Sequence, residues 1–116
     1  MSESVEKFLS SHLPIVGLAA YSVEHPNAVL VSECLSKSLY AAATAQMLNQ
    51  IVQDGRTLLP SGDQAAQYCW TFEGHRVHVA SRPDGVCLAL LVENNSSAQM
   101  SRIQETLQGF LDLPEL

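Results

Sequence analysis

Apolar and polar positions along the chain change period several times, and each change marks an element. Val5, Phe8, Leu9 and His12/Leu13 recur at helical spacing behind a cap at Ser2 or Ser4, and Pro14 ends that first helix. The run 15–23 reads as a strand, His25-Pro26-Asn27 as a turn and 28–31 as a short return strand, so the two strands form a hairpin. Ser36 is placed to cap a long helix over 37–54, with Gly55 in the position just past its end.

Beyond a loop containing Pro60, Gly62 and Asp63 the period drops to two. Tyr68, Trp70 and Phe72 fall on one face of a strand, and Glu73-Gly74 is a tight hairpin turn. The return strand 75–80 has Val77 and Val79 on one face and Arg76 and His78 on the other. Arg82-Pro83-Asp84-Gly85 is a second turn, because Pro presets φ and Gly supplies positive φ. The run 86–92 is apolar on both faces, as expected of a central strand covered on both sides by helices. A last helix, capped at Asn95 or Ser96 with Gln99 at capping-box spacing, carries the stripe Met100, Ile103, Leu107, Phe110 and Leu111. The order is α-β-β-α-β-β-β-α in a single domain spanning 1–116.

The long helix is the unusual element. No charged residue occurs from Ser38 to Gln53. Leu39, Ala43, Met47, Leu48, Ile51 and Val52 spread over an apolar arc of about 200°, where a helix on one sheet needs only ~100° or a little more. The surplus predicts two packing surfaces, one for the sheet and one for a second subunit. Ala41, Ala42, Ala43 and Ala45 permit close approach of another helix.

Composition agrees with a buried contact of this kind. Hydrophobic residues make up 47% of the chain and charged residues only 16%, against roughly 25% charged in ordinary soluble domains. The net charge is −6 and the six basic residues are scattered, so nucleic acid and anionic membrane surfaces are not expected partners. No apolar run approaches the ~20 residues of a membrane span. The acidic N-terminal residues do not read as a signal peptide. Three widely spaced cysteines, Cys34, Cys69 and Cys87, fit buried thiols in a reducing cytoplasm.

Candidate chemistry is sparse. His75 and His78 are three apart in a strand and point to opposite faces, so they do not chelate one metal together. Cys87 and His78 sit on neighbouring strands and are the nearest approach to a nucleophile and base, although packing is the expected role of all three thiols. Glu73, Asp84 and Glu93 flank turns and read as solvated. No phosphate-binding glycine loop occurs. No catalytic, cofactor or metal residue is therefore assigned, and an enzyme is not expected.

Three segments together resemble the roadblock/LC7 domain: Phe8-Leu9…Leu13-Pro14-Ile15-Val16-Gly17-Leu18-Ala19, the apolar helix from Leu39 to Val52, and the meander running from His75 to Ala80 and on through Asp84-Gly85 to Leu91. The resemblance covers essentially the whole chain as a pattern of elements. One departure is the first hairpin, which often turns on Asp-Gly in that family and turns here on His25-Pro26-Asn27. The resemblance implies an α+β fold: a five-stranded antiparallel sheet with the long helix on one face and the terminal helices on the other. It further implies a dimer joined through the long helix and the edge strand of the meander. The expected interface residues are Leu39, Tyr40, Ala43, Met47, Leu48, Ile51, Tyr68 and Trp70. A small Ras-like GTPase, or a motor or signalling complex, is the implied partner. The alternative is a profilin-like or PAS-like sensor of a small ligand, for which Arg76 and His78 are the available polar groups.

Overall fold

The computed structural model describes residues 3–58, 64–72, 74–94 and 99–114. The elements follow in the expected order: α1 (Glu3–His12), β1 (Leu18–His25), β2 (Ala28–Cys34), α2 (Ala41–Leu58), β3 (Ala66–Phe72), β4 (His75–Ser81), β5 (Cys87–Glu93) and α3 (Met100–Leu111). The proposed caps at Ser2, Asn95 and Ser96, the loop residues Pro60, Gly62 and Asp63, and Glu73 lie outside the described residues. Among the described residues no helix is long and apolar enough to cross a membrane.

The strands form one antiparallel sheet in the order β2-β1-β5-β4-β3. β5 lies at its centre and is buried from Cys87 to Val92, which is why its sequence is apolar on both faces. Val5, Phe8 and Leu9 of α1 and Ile103, Leu107 and Phe110 of α3 pack on one face, against Leu18, Tyr21, Val23, Leu88, Leu90 and Val92. Leu48, Ile51 and Val52 of α2 pack on the other, against Ala19, Ala20, Val77, Val79, Ala89 and Leu91. A β-bulge between Leu18 and Ala20 turns both Ala19 and Ala20 toward α2. These small side chains let the helix lie close to the sheet.

Two turns behave as their sequences require. Gly85 has φ of +91°, and its N–H donates to the Arg82 carbonyl at 2.9 Å. Gly74 has φ of +80° between the paired Phe72 and His75.

The long helix differs from expectation at both ends. It begins at Ala41, because the Ser36 and Ser38 hydroxyls bond each other at 2.8 Å and the Ser38 N–H donates to Ser36 Oγ, holding a local turn. Its first intrahelical bond runs from Thr44 N–H to the Tyr40 carbonyl, so Leu39 and Tyr40 precede the helix. At the other end Gly55 lies inside it and is buried. The space beside its α-carbon is filled by the Tyr68 ring. Gly55 is thus a site of close approach between helix and sheet, not a stop signal. α3 likewise starts later than a cap at Asn95 or Ser96 would give, with Gln99 in the cap position and no side-chain cap bond.

Candidate interaction surface

β3 is an edge strand, and its free edge has a definite phase. Asn94 N–H donates to the Gly74 carbonyl and Arg82 N–H to the Val86 carbonyl, each at 3.0 Å. Hydrogen-bonded and non-bonded pairs alternate along an antiparallel ladder. The even residues of β4 therefore bond to β5 and the odd ones to β3. Through the register Tyr68↔Val79 and Trp70↔Val77, β3 spends its even residues on β4. The backbone groups of Gln67, Cys69 and Thr71 are left facing outward.

Side chains alternate in step. Tyr68, Trp70 and Phe72 stand on the α2 side. Tyr68 tucks beneath the helix against the core, whereas Trp70 and Phe72 run out past it and are exposed. Phe72 stacks on His75, with ring centroids 6.2 Å apart. Between this strand and the start of α2 lies an apolar groove of about 230 Å³ whose walls include Leu39, Tyr40, Ala43, Met47, Phe72 and His75. Tyr40 projects beside it with 86% of its surface exposed. Ala41, Ala42 and Ala43 are also exposed. This apolar surface adjoins the unpaired edge of β3, one of the two outer edges of the sheet.

The expected interface set divides accordingly. Tyr40, Ala43 and Trp70 are exposed, and Leu39, Met47 and Tyr68 are half-buried. Leu48 and Ile51 are buried against the sheet and are not available to a partner. The wide arc is therefore shared: Leu48, Ile51, Val52, Thr44 and Gly55 face the sheet, and Ala43 and Met47 turn toward its open edge. Phe72 and His75 belong to the surface but not to the expected set. The alternation already read through Phe72, carried across the tight turn to His75, was the signal for both.

The histidines and cysteines also separate. His75 and His78 stand on opposite faces, as their spacing requires. Cys87 lies in the core under α2 and pairs with Ser81, while His78 pairs with Leu90, so Cys87 and His78 are not neighbours. The thiol beside His78 is that of Cys69, its cross-strand partner, with Sγ 4.0 Å from Nε2. Burial and the nearby Arg76 charge hold the His78 imidazole below its ordinary pKa. Of the three thiols only Cys87 is buried. Cys34 is half-buried and Cys69 exposed. Arg76 does not converge with His78 on a ligand pocket, since its Nη2 approaches Met100 Sδ at 2.8 Å. Among the described residues no group of three or more His, Cys, Asp or Glu is placed to hold a metal ion.

No protein-family model matches this chain, and no curated protein matches it.

Proposed function

We propose that this chain is a homodimeric protein-interaction module, joined to its copy through α2 and the β3 edge, and that the dimer regulates or scaffolds a small Ras-like GTPase or a motor or signalling complex. One observation carries the dimer: an apolar strip of exposed Tyr40, Ala43, Trp70 and Phe72, with half-buried Met47 beside them, runs alongside the unpaired backbone of β3. Exposed contiguous apolar patches are rare on monomers. A free flat strand edge invites another strand, and antiparallel pairing about a two-fold axis satisfies it without opening a filament. Helix α2 then meets its copy over the charge-free alanine face. The role assigned to the dimer is docking, not catalysis, and it rests on the resemblance to roadblock/LC7 domains, whose expected architecture matches the observed arrangement of sheet and helices.

Sedimentation velocity tests the dimer. The wild-type chain is expected to sediment at twice the chain mass. Ala43→Glu places a carboxylate in the contact and is expected to weaken association by about a hundredfold or more. Trp70→Ala removes an aromatic anchor and is expected to weaken it about thirtyfold. A monomeric wild type, or dimers untouched by both substitutions, overturns the proposal. The partner class is tested by titrating Ras-like GTPases, loaded with GDP or with a GTP analogue, against the purified dimer. Absence of binding in both states removes the GTPase.

A further inference from the structure

We propose that Cys69 is a redox lock: in the dimer its thiol meets Cys69 of the second copy, and oxidation by a peroxide joins the two protomers through a disulfide. The inference rests on the homodimer proposed above and adds to it a register and a modification site.

The register follows from the phase of the edge. Gln67, Cys69 and Thr71 carry the outward backbone groups, so a symmetric antiparallel pairing must set odd residues opposite odd residues. The two-fold axis then falls on a residue and never between two. The pairing that uses all seven residues of β3 is centred on Cys69. It places Cys69 opposite its copy in a hydrogen-bonded pair, with α-carbons roughly 5.5 Å apart. That separation lies within the ~4.4–6.8 Å span of disulfides. The same register sets Trp70 beside Tyr68 of the second copy on the α2 side, in the closer, non-bonded type of pair that favours aromatic contacts.

The chemistry is local to the same spot. Cys69 stands on the α1/α3 side, at a cavity of about 220 Å³ lined by Gln67, Cys69, His78, Gln104 and Leu107, which gives a peroxide access. His78 is only 6% exposed, and its Nε2 is aimed at the thiol. A neutral imidazole there accepts the thiol proton. The thiolate attacks the peroxide O–O bond, giving a sulfenic acid and one water. The second Cys69 thiolate attacks that sulfur, the S–S bond forms, and hydroxide leaves with a proton as the second water. Two thiols and one peroxide become one disulfide and two waters. The other thiols are out of reach: Cys87 is buried, and Cys34 lies in β2, at the far edge of the sheet.

The test treats reduced protein with hydrogen peroxide and follows it by non-reducing electrophoresis and peptide mass mapping, with sedimentation of the untreated reduced protein in parallel. A covalent dimer linked Cys69 to Cys69 is expected, absent in Cys69→Ser and undiminished in Cys34→Ser. His78→Gln is expected to slow its formation about tenfold or more, while sedimentation of the reduced variant reports that the dimer is intact. His78→Asn provides a second variant at the same position. A reduced dimer that gives no cross-link, or one linked through Cys34, overturns the lock and leaves the dimer standing. A reduced protein that sediments as a monomer removes both. An unchanged rate in intact dimers of both His78 variants overturns the part given to the imidazole.

Discussion

The Tyr68 hydroxyl and ring occupy the space that a Cβ on Gly55 would need. Helix α2 and strand β3 therefore touch through a missing side chain, which fixes how α2 lies over the open edge. Gly55→Ala is expected to destabilise the fold. Alanine gains about 1 kcal/mol of helix propensity, but displacing a packed tyrosine typically costs about 1–3 kcal/mol, and here the obstacle is a ring held against the core. A net loss of up to roughly 2 kcal/mol follows, read as a lower urea midpoint. Tyr68→Phe in the Gly55→Ala background relieves the overlap only in part, because ring carbons as well as the hydroxyl lie in the way. Equal or greater stability of Gly55→Ala would show that Tyr68 can swing clear at no cost.

A second helix-to-sheet tie is polar. Glu24 is 1% exposed beneath α2, and its carboxyl accepts from Asn49 Nδ2 at 2.7 Å and from Ser22 Oγ at 2.9 Å. Arg56 reaches the Glu24 carbonyl and the Gly85 carbonyl instead, at 3.4 and 2.8 Å. Asn49→Ala leaves a buried acceptor without its donor, at about 1–3 kcal/mol. In a double-mutant cycle, Asn49→Ala is expected to cost much less when Glu24 is already Ala. Additive losses in urea denaturation would show that the two side chains are not coupled.

Much of this architecture was legible because it rests on local period. The two-sided apolar run of β5 names a central strand without tertiary information. Alternation in 68–72 names a strand, whose place at the edge of the sheet came from the resemblance and whose first residues, Ala66 and Gln67, read as loop. The apolar surplus of α2 likewise pointed to its exposed side. What escaped depends on contacts distant in sequence. Gly55 reads as a helix stop because its reason, Tyr68, lies on another element. Glu24 falls just past the strand read over 15–23, and nothing local shows that Asn49 will sit above it. Leu48 and Ile51 cannot be told from Ala43 and Met47 by hydropathy alone, since the arc has no internal boundary. The Cys69–His78 pair was within reach. A two-residue turn between Phe72 and His75 sets Cys69 opposite His78, whereas the turn after Arg82 sets Cys87 opposite Ser81.

Arg82 illustrates the same limit and yields a third prediction. Read as part of a turn, it is 5% exposed and clamps the end of α3. Its Nη1 donates to the Phe110 carbonyl at 2.6 Å and the Leu113 carbonyl at 2.9 Å, its Nη2 to the Pro114 carbonyl at 3.0 Å, and its Nε to the Asp84 carboxylate at 3.1 Å. The fork thus ties together carbonyls of the last turn of α3 and of the residues just after it. Arg82→Ala strips partners from several buried groups and is expected to cost about 3 kcal/mol or more. Arg82→Lys is expected to recover less than half of that, because an ammonium cannot span the same fan of acceptors. Hydrogen exchange is the discriminating readout: amides of the last turn of α3 are expected to lose protection before those of β5. Uniform loss across both would assign Arg82 to global stability.

Alkaline pH is expected to weaken the fold through Tyr21. Burial first, then its hydrogen bond to Glu33 at 2.6 Å and the charge of that carboxylate, push the Tyr21 phenol up to about 12. The Tyr68 phenol is also raised, chiefly by burial. A phenol whose pKa is raised by folding favours the protonated form in the native state. Its contribution is fully present below the unfolded tyrosine value near 10 and is lost as pH rises toward 12. Above about pH 10 the unfolded chain binds fewer protons than the folded one, so unfolding becomes easier with each step in pH. The urea midpoint is therefore expected to fall between about pH 10 and pH 12. Tyr21→Phe is expected to be less stable than wild type at about pH 8, where the Glu33 bond is lost, yet to decline less steeply above about pH 10. If the two proteins decline in parallel, Tyr21 titrates freely in the folded state and its bond to Glu33 does not hold the proton.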